Sequence, residues 1–380
     1  MNTYKAMLVS VCLLLLTSCG SDNKTPPDST EVLGSSGDAS AETPTEEQQP
    51  PLAISVEKVA TWKGDAKAAY SIIHDDYPYT DGLHKHYLEL NNRGLRAGFG
   101  VIVGAVEEGN KHYYDKMRQM VSEGHEIINH SYSHLDLLKE GTDLNKEIDH
   151  STALLKANGF NVTAFVFPFD QSNEAILQRL KGIGYLAARG GVHEVNPAKL
   201  NTDDPLAPFH AGWDSFFEDP ATGQNIGSKY KDQGDVLKGY VDDAIQKGGW
   251  AVRELHGVED SSWGSVSIAK YTAHLDYVVE KVKSNELWMD TFTNVTRYRS
   301  SRAYCGQALA EDSGTINFSL ATSENCTKYS SPLSVVISTN GVDDITATQN
   351  GASIPSKRLD AGKYMLEIDP AAGPAYVSKP

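Results

Sequence analysis

Ala68-Ala69-Tyr70-Ser71-Ile72-Ile73-His74-Asp75-Asp76-Tyr77 is the stretch on which the fold turns. Ala68 to Ile73 reads as a buried strand, and it runs without a break into a histidine and two adjacent carboxylates. The arrangement recurs downstream. Ala97 to Val103, Glu126 to Ile128, Ala164 to Phe167, Tyr185 to Arg189 and Trp250 to His256 read as strands. Helical periodicity appears between and after them, at Leu83 to Arg93, Tyr113 to Glu123, Asn145 to Asn158, Asn173 to Gly182, Gly234 to Lys247 and Ile268 to Lys283. Gly159 takes the C-cap role after the third of these helices. Repeated βα units of this length predict an α/β fold with a parallel barrel or a doubly wound sheet, in which chemistry belongs at the C-terminal ends of the strands.

The flanks read differently. Lys5 followed by the apolar run Met7 to Leu16 is too short for a permanent membrane span and predicts a signal peptide over residues 1–19. Leu16-Thr17-Ser18-Cys19 resembles a lipobox, which implies that Cys19 is lipidated and becomes the mature N-terminus. Residues 20–51 are rich in Ser, Thr, Pro, Glu and Gln and too poor in large apolar residues to fold, so they predict a disordered tether. Residues 52–300 hold the βα pattern. Beyond Arg302 the helical periodicity stops, and Thr315 to Leu320, Leu333 to Ser338 and Lys363 to Ile368 predict a small β-sandwich-like module over residues 301–380.

Of four cysteines, Cys12 leaves with the signal and Cys19 is the lipidation candidate. Cys305 and Cys326 remain, and in an oxidising compartment such a pair forms a disulfide; two buried thiols are the alternative. The formal charge of -16 would repel a polyphosphate backbone, which excludes nucleic acid as a partner. The expected location is the cell envelope, through a lipid anchor. Gly20 after the cysteine lacks the aspartate associated with inner-membrane retention, which favours the outer membrane or cell surface.

Three clusters fall at predicted strand ends. Asp75 and Asp76 would repel each other unless a cation or shared proton sits between them, although an Asp-rich turn needs neither. In Asn129-His130-Ser131-Tyr132-Ser133-His134, a helical turn would place His130 and His134 on one face, where both could reach one metal. Arg253-Glu254-Leu255-His256 puts a histidine, whose ordinary pKa lies near working pH, where it could act as general acid. Tyr77, Tyr79, Trp213 and Trp263 offer flat apolar faces for stacking and suit a core equally. His84 and His86 sit within a predicted helix and read as surface or cleft residues.

The order Asp-Asp, then His-Ser-x-x-His, then a strand ending in Pro and an aromatic, then Leu-His resembles carbohydrate esterase family four, the polysaccharide deacetylases, from about Ser71 to Thr293. The resemblance implies a distorted parallel β/α barrel and a divalent metal, commonly Zn2+, held by Asp76, His130 and His134. It implies that Asp75 is the general base and His256 the general acid, with the backbone N-H of Phe169 at the oxyanion. Of the aromatics, which on such a substrate would stack on sugar faces, Trp263 is the favoured binding-site residue, with Tyr77 next to the Asp pair. The reaction implied is hydrolysis of N- or O-acetyl groups on a polysaccharide or oligosaccharide. One departure stands out. Where many members have Arg-x-Pro-Tyr, this chain has Val166-Phe167-Pro168-Phe169, so the arginine that orients the base is missing from its usual place. Arg189, at the end of the next strand, could approach the same carboxylate. Asp214 is a candidate for tuning His256. Two other readings follow from the residues: a glycoside hydrolase using Asp75 and a second carboxylate, which leaves His130 and His134 without a role, and a catalytically weak glycan-binding lipoprotein.

Overall fold

The computed structural model describes residues 52–380 apart from 81, 110, 219–221, 223, 224, 226, 233 and 234. The expected signal peptide, the lipidation site Cys19 and the whole of the tether lie outside the described residues. Among the described residues, no helix is long and apolar enough to cross a membrane.

A short strand, β1 (Ser55–Val59), precedes the barrel. The barrel strands are β2 (Ala68–Tyr77), β3 (Gly98–Val101), β4 (Glu126–Asn129), β5 (Ala164–Val166), β6 (Ala187–His193), β7 (Ala211–Ser215) and β8 (Trp250–Leu255). Each pairs in parallel with the next, and β8 closes on β2 through Ala69↔Trp250 to His74↔Leu255. The result is a closed, parallel seven-stranded barrel, as the βα spacing predicts. It is distorted because β2 is ten residues long while β3 has four and pairs only with the second half of β2. An eighth strand, β9 (Leu287–Met289), pairs with the first half, Ala68 to Tyr70. Buried on both faces, the barrel strands read as near-continuous apolar runs, which is why they are visible in the sequence. Two strands of this sheet lie outside the sequence expectation. Strand β7 reads Ala-Gly-Trp-Asp-Ser and β9 has three residues, so neither carries a strand-length apolar run.

After a helix at Phe292–Tyr304 the chain forms β10 (Ala308–Ala310), β11 (Thr315–Phe318), β12 (Leu333–Ser338), β13 (Thr346–Gln349), β14 (Ala352–Ser353), β15 (Ser356–Asp360), β16 (Lys363–Ile368) and β17 (Ala375–Ser378). These make two antiparallel sheets, ordered β1-β12-β16-β15 and β10-β11-β17-β13-β14. Strand β1 therefore crosses to the C-terminal region, with Ser55 opposite Ser338. The two regions share an apolar core: Trp62, Ala69, Ile128 and Val252 from the barrel side cluster with Ile316, Val335 and Leu366 from the tail. Residues 50–380 form one compact unit. Cys305 and Cys326 are disulfide-bonded across a sequence separation of 21, closing the start of the tail onto the helix at Glu324–Lys328. A loop of this size adds about 3 kcal/mol in the chain-entropy picture.

Candidate metal and catalytic site

Because the barrel strands are parallel, the ends of β2, β4, β5, β6, β7 and β8 open at the same rim, and the ionisable clusters meet there. Asp75 and Asp76 come from the end of β2, His130 and His134 from the loop after β4, Phe169 and Asp170 from the turn after β5, Arg189 from β6, and Glu254 and His256 from β8 and the residue beyond it. All but Arg189 line one cleft with Phe167, Trp213, Ser215 and Trp263.

Nε2 of His130 and Nε2 of His134 each lie 3.4 Å from Oδ1 of Asp76. One ligand atom from each of the three residues falls within 4.8 Å of the others. His130 Nδ1 is 2.9 Å from the Val166 carbonyl, which can only accept, so Nδ1 carries the proton and Nε2 presents a lone pair to the site. Asp76 Oδ1 is buried with no hydrogen-bond partner. A lone pair facing an unpartnered carboxylate oxygen is a donor set that suits a cation. Burial pushes Asp76 up, but the contact with His130 and the positive fields of His130, His256 and His134 outweigh it and bring the carboxyl down to about 2. Burial likewise opposes the charged form of His130, and Asp75 and Asp76 overcome it, so its pKa is raised. For His134, burial and the neighbouring His130 lower it.

The expected helical turn at 130–134 does not form. The segment is a loop in which Ser131 and His134 have φ of 66° and 55°. The Val103 and Gly104 amides donate to the Ser131 and Tyr132 carbonyls at 3.0 and 2.7 Å, and the His134 amide donates to Ser131 Oγ at 2.9 Å. A Cβ on Gly104 would come within 2.6 Å of the Tyr132 carbonyl oxygen, so only glycine allows this approach. The two histidine rings still converge, with centroids 4.7 Å apart.

Asp75 is held from behind. Arg189 Nη1 and Nη2 donate to its two carboxylate oxygens at 3.0 and 2.6 Å, and Nη2 also donates to Asp170 Oδ1 at 2.9 Å. The guanidinium is fully buried and lies 5.1 Å from the Trp213 ring centre. Burial opposes its charge, yet Asp75, Asp170 and Glu254 raise its pKa. The register places Val166 opposite Arg189 across β5 and β6. The arginine absent from position 166 is thus supplied by the cross-strand partner of that very position.

His256 sits 3.8 Å from Asp76 Oδ2 through Nε2 and 3.6 Å from Glu254 Oε1 through Nδ1. Its backbone carbonyl accepts from Nδ1-H of buried His74 at 2.7 Å. Burial lowers its pKa against the pull of Asp75 and Asp76. Glu254 is buried and its pKa is driven well up, first by desolvation and then, against Arg189, by Asp170, Asp75 and Asp76. Burial also raises Asp170, with Arg189 pulling the other way.

Two sequence expectations are corrected. Tyr77 does not reach the cleft: it is fully buried, edge-on to Phe99 and Tyr113. The residue before it, Asp76, has φ of 62°, and the β2–β3 register slips between His74 and Tyr77, which turns the Tyr77 ring into the core. Asp214 does not orient His256; its carboxylate accepts from Arg253 Nη1 and Ser228 Oγ, both at 2.6 Å. Glu254 faces His256 instead. The signal for it was present, because residues two apart on a strand share a face. Trp263 is 55% exposed, edge-on to His256 and stacked on Phe217 at 4.3 Å. Phe169 is 60% exposed beside His134. Tyr79 is exposed, and His84 stacks on Tyr113 rather than standing in the cleft.

Residues 63–188 match the family described as polysaccharide deacetylase. The chain carries a polysaccharide deacetylase domain. That domain supplies Asp75, Asp76, His130, His134 and Phe169, and the rest of the barrel supplies Arg189, Glu254 and His256. The chain is 26% identical over 325 residues to a gellan lyase from Bacillus sp; the match covers 81% of this chain but spans only 13% of that protein. Among solved structures, a probable polysaccharide deacetylase from Pseudomonas aeruginosa is 15% identical, with a TM-score of 0.49, over 66% of this chain and 96% of that one. A family 4 acetyl xylan esterase from Clostridium thermocellum, in complex with a cobalt ion, is 18% identical, with a TM-score of 0.40, over 60% and 89%.

Proposed function

We propose that this polysaccharide deacetylase domain removes N- or O-linked acetyl groups from a polysaccharide or oligosaccharide, using a divalent cation, most simply Zn2+, held by Asp76, His130 and His134. The observation that carries the reading is the convergence of those three side chains beside an Asp75 clamped by buried Arg189. When bound, the cation would polarise the acetyl carbonyl and lower the pKa of a water. Asp75, fixed in one orientation by two charge-assisted hydrogen bonds, takes the proton of the attacking water. The Phe169 N-H donates to the oxygen that gains charge. His256, placed between Asp76 and Glu254, delivers a proton to the departing sugar nitrogen or oxygen. Exposed Trp263 offers a flat apolar face to a sugar ring next to His256.

The similarity to part of a gellan lyase supports a polysaccharide rather than a small ester as substrate. A lipid on Cys19 and a tether over residues 20–51 would hold the enzyme at the cell envelope, facing the glycan. The test combines metal analysis with acetate release from chitin oligosaccharides, peptidoglycan, acetylated xylan and gellan. One metal per chain, and acetate release abolished by chelation and by Asp75→Asn, is the expected result. Acetate release that survives both treatments sinks the mechanism. Radiolabelled palmitate incorporation that disappears in Cys19→Ala tests the anchor.

A further inference from the structure

The turn after β5 is backbone-strained at two consecutive positions. Phe169 and Asp170 have φ of 57° and 54°, in the left-handed region that L-residues avoid, and the first is a bulky aromatic. Such a turn persists only when its surroundings hold it. Burial of Phe169 does not do so, because its ring is 60% exposed. Within the turn the Asp170 amide donates to the Phe167 carbonyl at 2.9 Å, and the Gln171 amide donates to the Pro168 carbonyl at 3.4 Å. The outside anchor is the Asp170 carboxylate, which accepts from Arg189 Nη2 at 2.9 Å. Arg189 is a fixed post: fully buried, bidentate on Asp75 and covered by Trp213.

The position of that post makes the anchor necessary. With valine at 166, β5 has no side chain of its own that joins the turn to the base, because the guanidinium stands one strand away on β6. We propose that Asp170 is a positioning residue: its ion pair with Arg189 ties the 168–171 turn to the carboxylate of Asp75 and so keeps the Phe169 N-H aimed into the cleft. This rests on the reading that the Phe169 N-H stabilises the oxyanion. One guanidinium then sets the two partners of the reaction relative to each other, the base through one carboxylate and the oxyanion donor through another.

Asparagine separates this role from a charge or proton-transfer role of the carboxylate, because its Oδ1 can still accept from Arg189 Nη2 and it tolerates positive φ. Steady-state acetate release is measured for wild type, Asp170→Ala and Asp170→Asn, with metal content checked in each. Loss of an aimed oxyanion donor costs on the order of 100-fold in kcat. Asp170→Ala is expected to lose about that much, with KM within about two-fold of wild type, and Asp170→Asn is expected to recover most of the loss. Wild-type kcat in Asp170→Ala, or Asp170→Asn as impaired as Asp170→Ala, overturns the inference. Crystal structures of the two variants read the turn independently of activity. Phe169 is expected to leave positive φ in Asp170→Ala and to keep it in Asp170→Asn, and an unchanged turn in Asp170→Ala sinks the proposal. A wild-type enzyme that releases no acetate defeats the functional reading instead, and the turn conformations still decide this one.

Discussion

Val166 and Arg189 face each other across β5 and β6, and the exchange has a measurable consequence. Arg189 is fully buried between Asp75 and Asp170, so its removal strands two carboxylates in a low-dielectric site. Breaking a buried pair in this way costs about 3–5 kcal/mol. Arg189→Met is therefore expected to lower both the urea midpoint and kcat. Arg189→Lys is expected to restore little, because an ammonium cannot span both oxygens of Asp75. The sharper test is the double variant Val166→Arg/Arg189→Val, which returns the guanidinium to the usual family position and is expected to regain kcat over Arg189→Val alone. A double variant no better than the single would show that the barrel has repacked around Arg189. Individual residues are unevenly visible in the sequence. The trio Asp76, His130 and His134 stands out because the first two lie just beyond apolar runs and the third repeats a histidine four residues on. The burial of Tyr77 does not, because a one-residue slip in β2 reverses which side of the barrel a side chain meets, and a bulge leaves no mark on hydrophobic periodicity.

Strands β2, β3 and β4 bring the site together, and the closeness of β3 to its neighbours depends on Gly100. A Cβ there would lie 3.2 Å from Asp75 Oδ1 and 3.5 Å from His130 Cβ. Gly100→Ala would push Asp75 by a few tenths of an ångström, against a carboxylate already pinned by Arg189. Catalytic geometry tolerates such displacement poorly: a shift of about 1 Å can cost on the order of 100-fold. The variant is expected to fold with an unchanged circular dichroism spectrum and to lose about ten-fold in kcat; full activity would mean that the base is less constrained than the geometry implies. The elements most visible in the sequence are those with long apolar or amphipathic runs, and the helix at Ile268–Lys283 falls where its periodicity predicts. Segment 130–134 departs from expectation because spacing alone cannot separate a helical turn from a loop stitched down by side-chain and backbone hydrogen bonds. Strand β7 is hidden because Gly212 and Asp214 interrupt its apolar character, and Asp214 is tolerated there because Arg253 neutralises it and Ser228 Oγ and the Lys229 amide donate to it.

The barrel and the C-terminal sheets stabilise one another. The Ala60 amide donates to the Ser334 carbonyl at 2.8 Å, and Tyr329 Oη donates to the Leu186 carbonyl at 3.0 Å, tying the tail to the barrel region. A chain ending at residue 300 would expose the shared apolar face and leave β1 without its partner β12. It is expected to be insoluble, and a soluble, metal-binding fragment would show that the barrel stands alone. The whole folded unit also carries an acid sensitivity set by buried histidines outside the catalytic residues. Burial lowers His74 and His125 to about 4 and His274 to about 3, from an ordinary value of 6.5. Above pH 6.5 these groups are neutral in both folded and unfolded chains, and their contribution to stability is complete. As pH falls through 6.5 the unfolded chain takes up protons that the folded chain refuses, so stability is lost progressively until the folded values are reached. By about pH 4 each histidine has cost about 3 kcal/mol, because a tenfold difference in proton affinity between the two states is worth about 1.4 kcal/mol. His130 and the buried carboxyls Glu126, Glu254 and Asp170, whose pKa values are raised, work in the opposite direction, so the histidine contribution is read by difference from a variant that lacks the group. Asp76 adds to the loss only below the ordinary carboxylate range, since its folded value is about 2. With chelator present to remove metal linkage, the stability of wild type relative to His274→Gln is therefore expected to decline between about pH 6.5 and 4.5. A difference constant across that window would mean that His274 is solvated or already charged in the native protein.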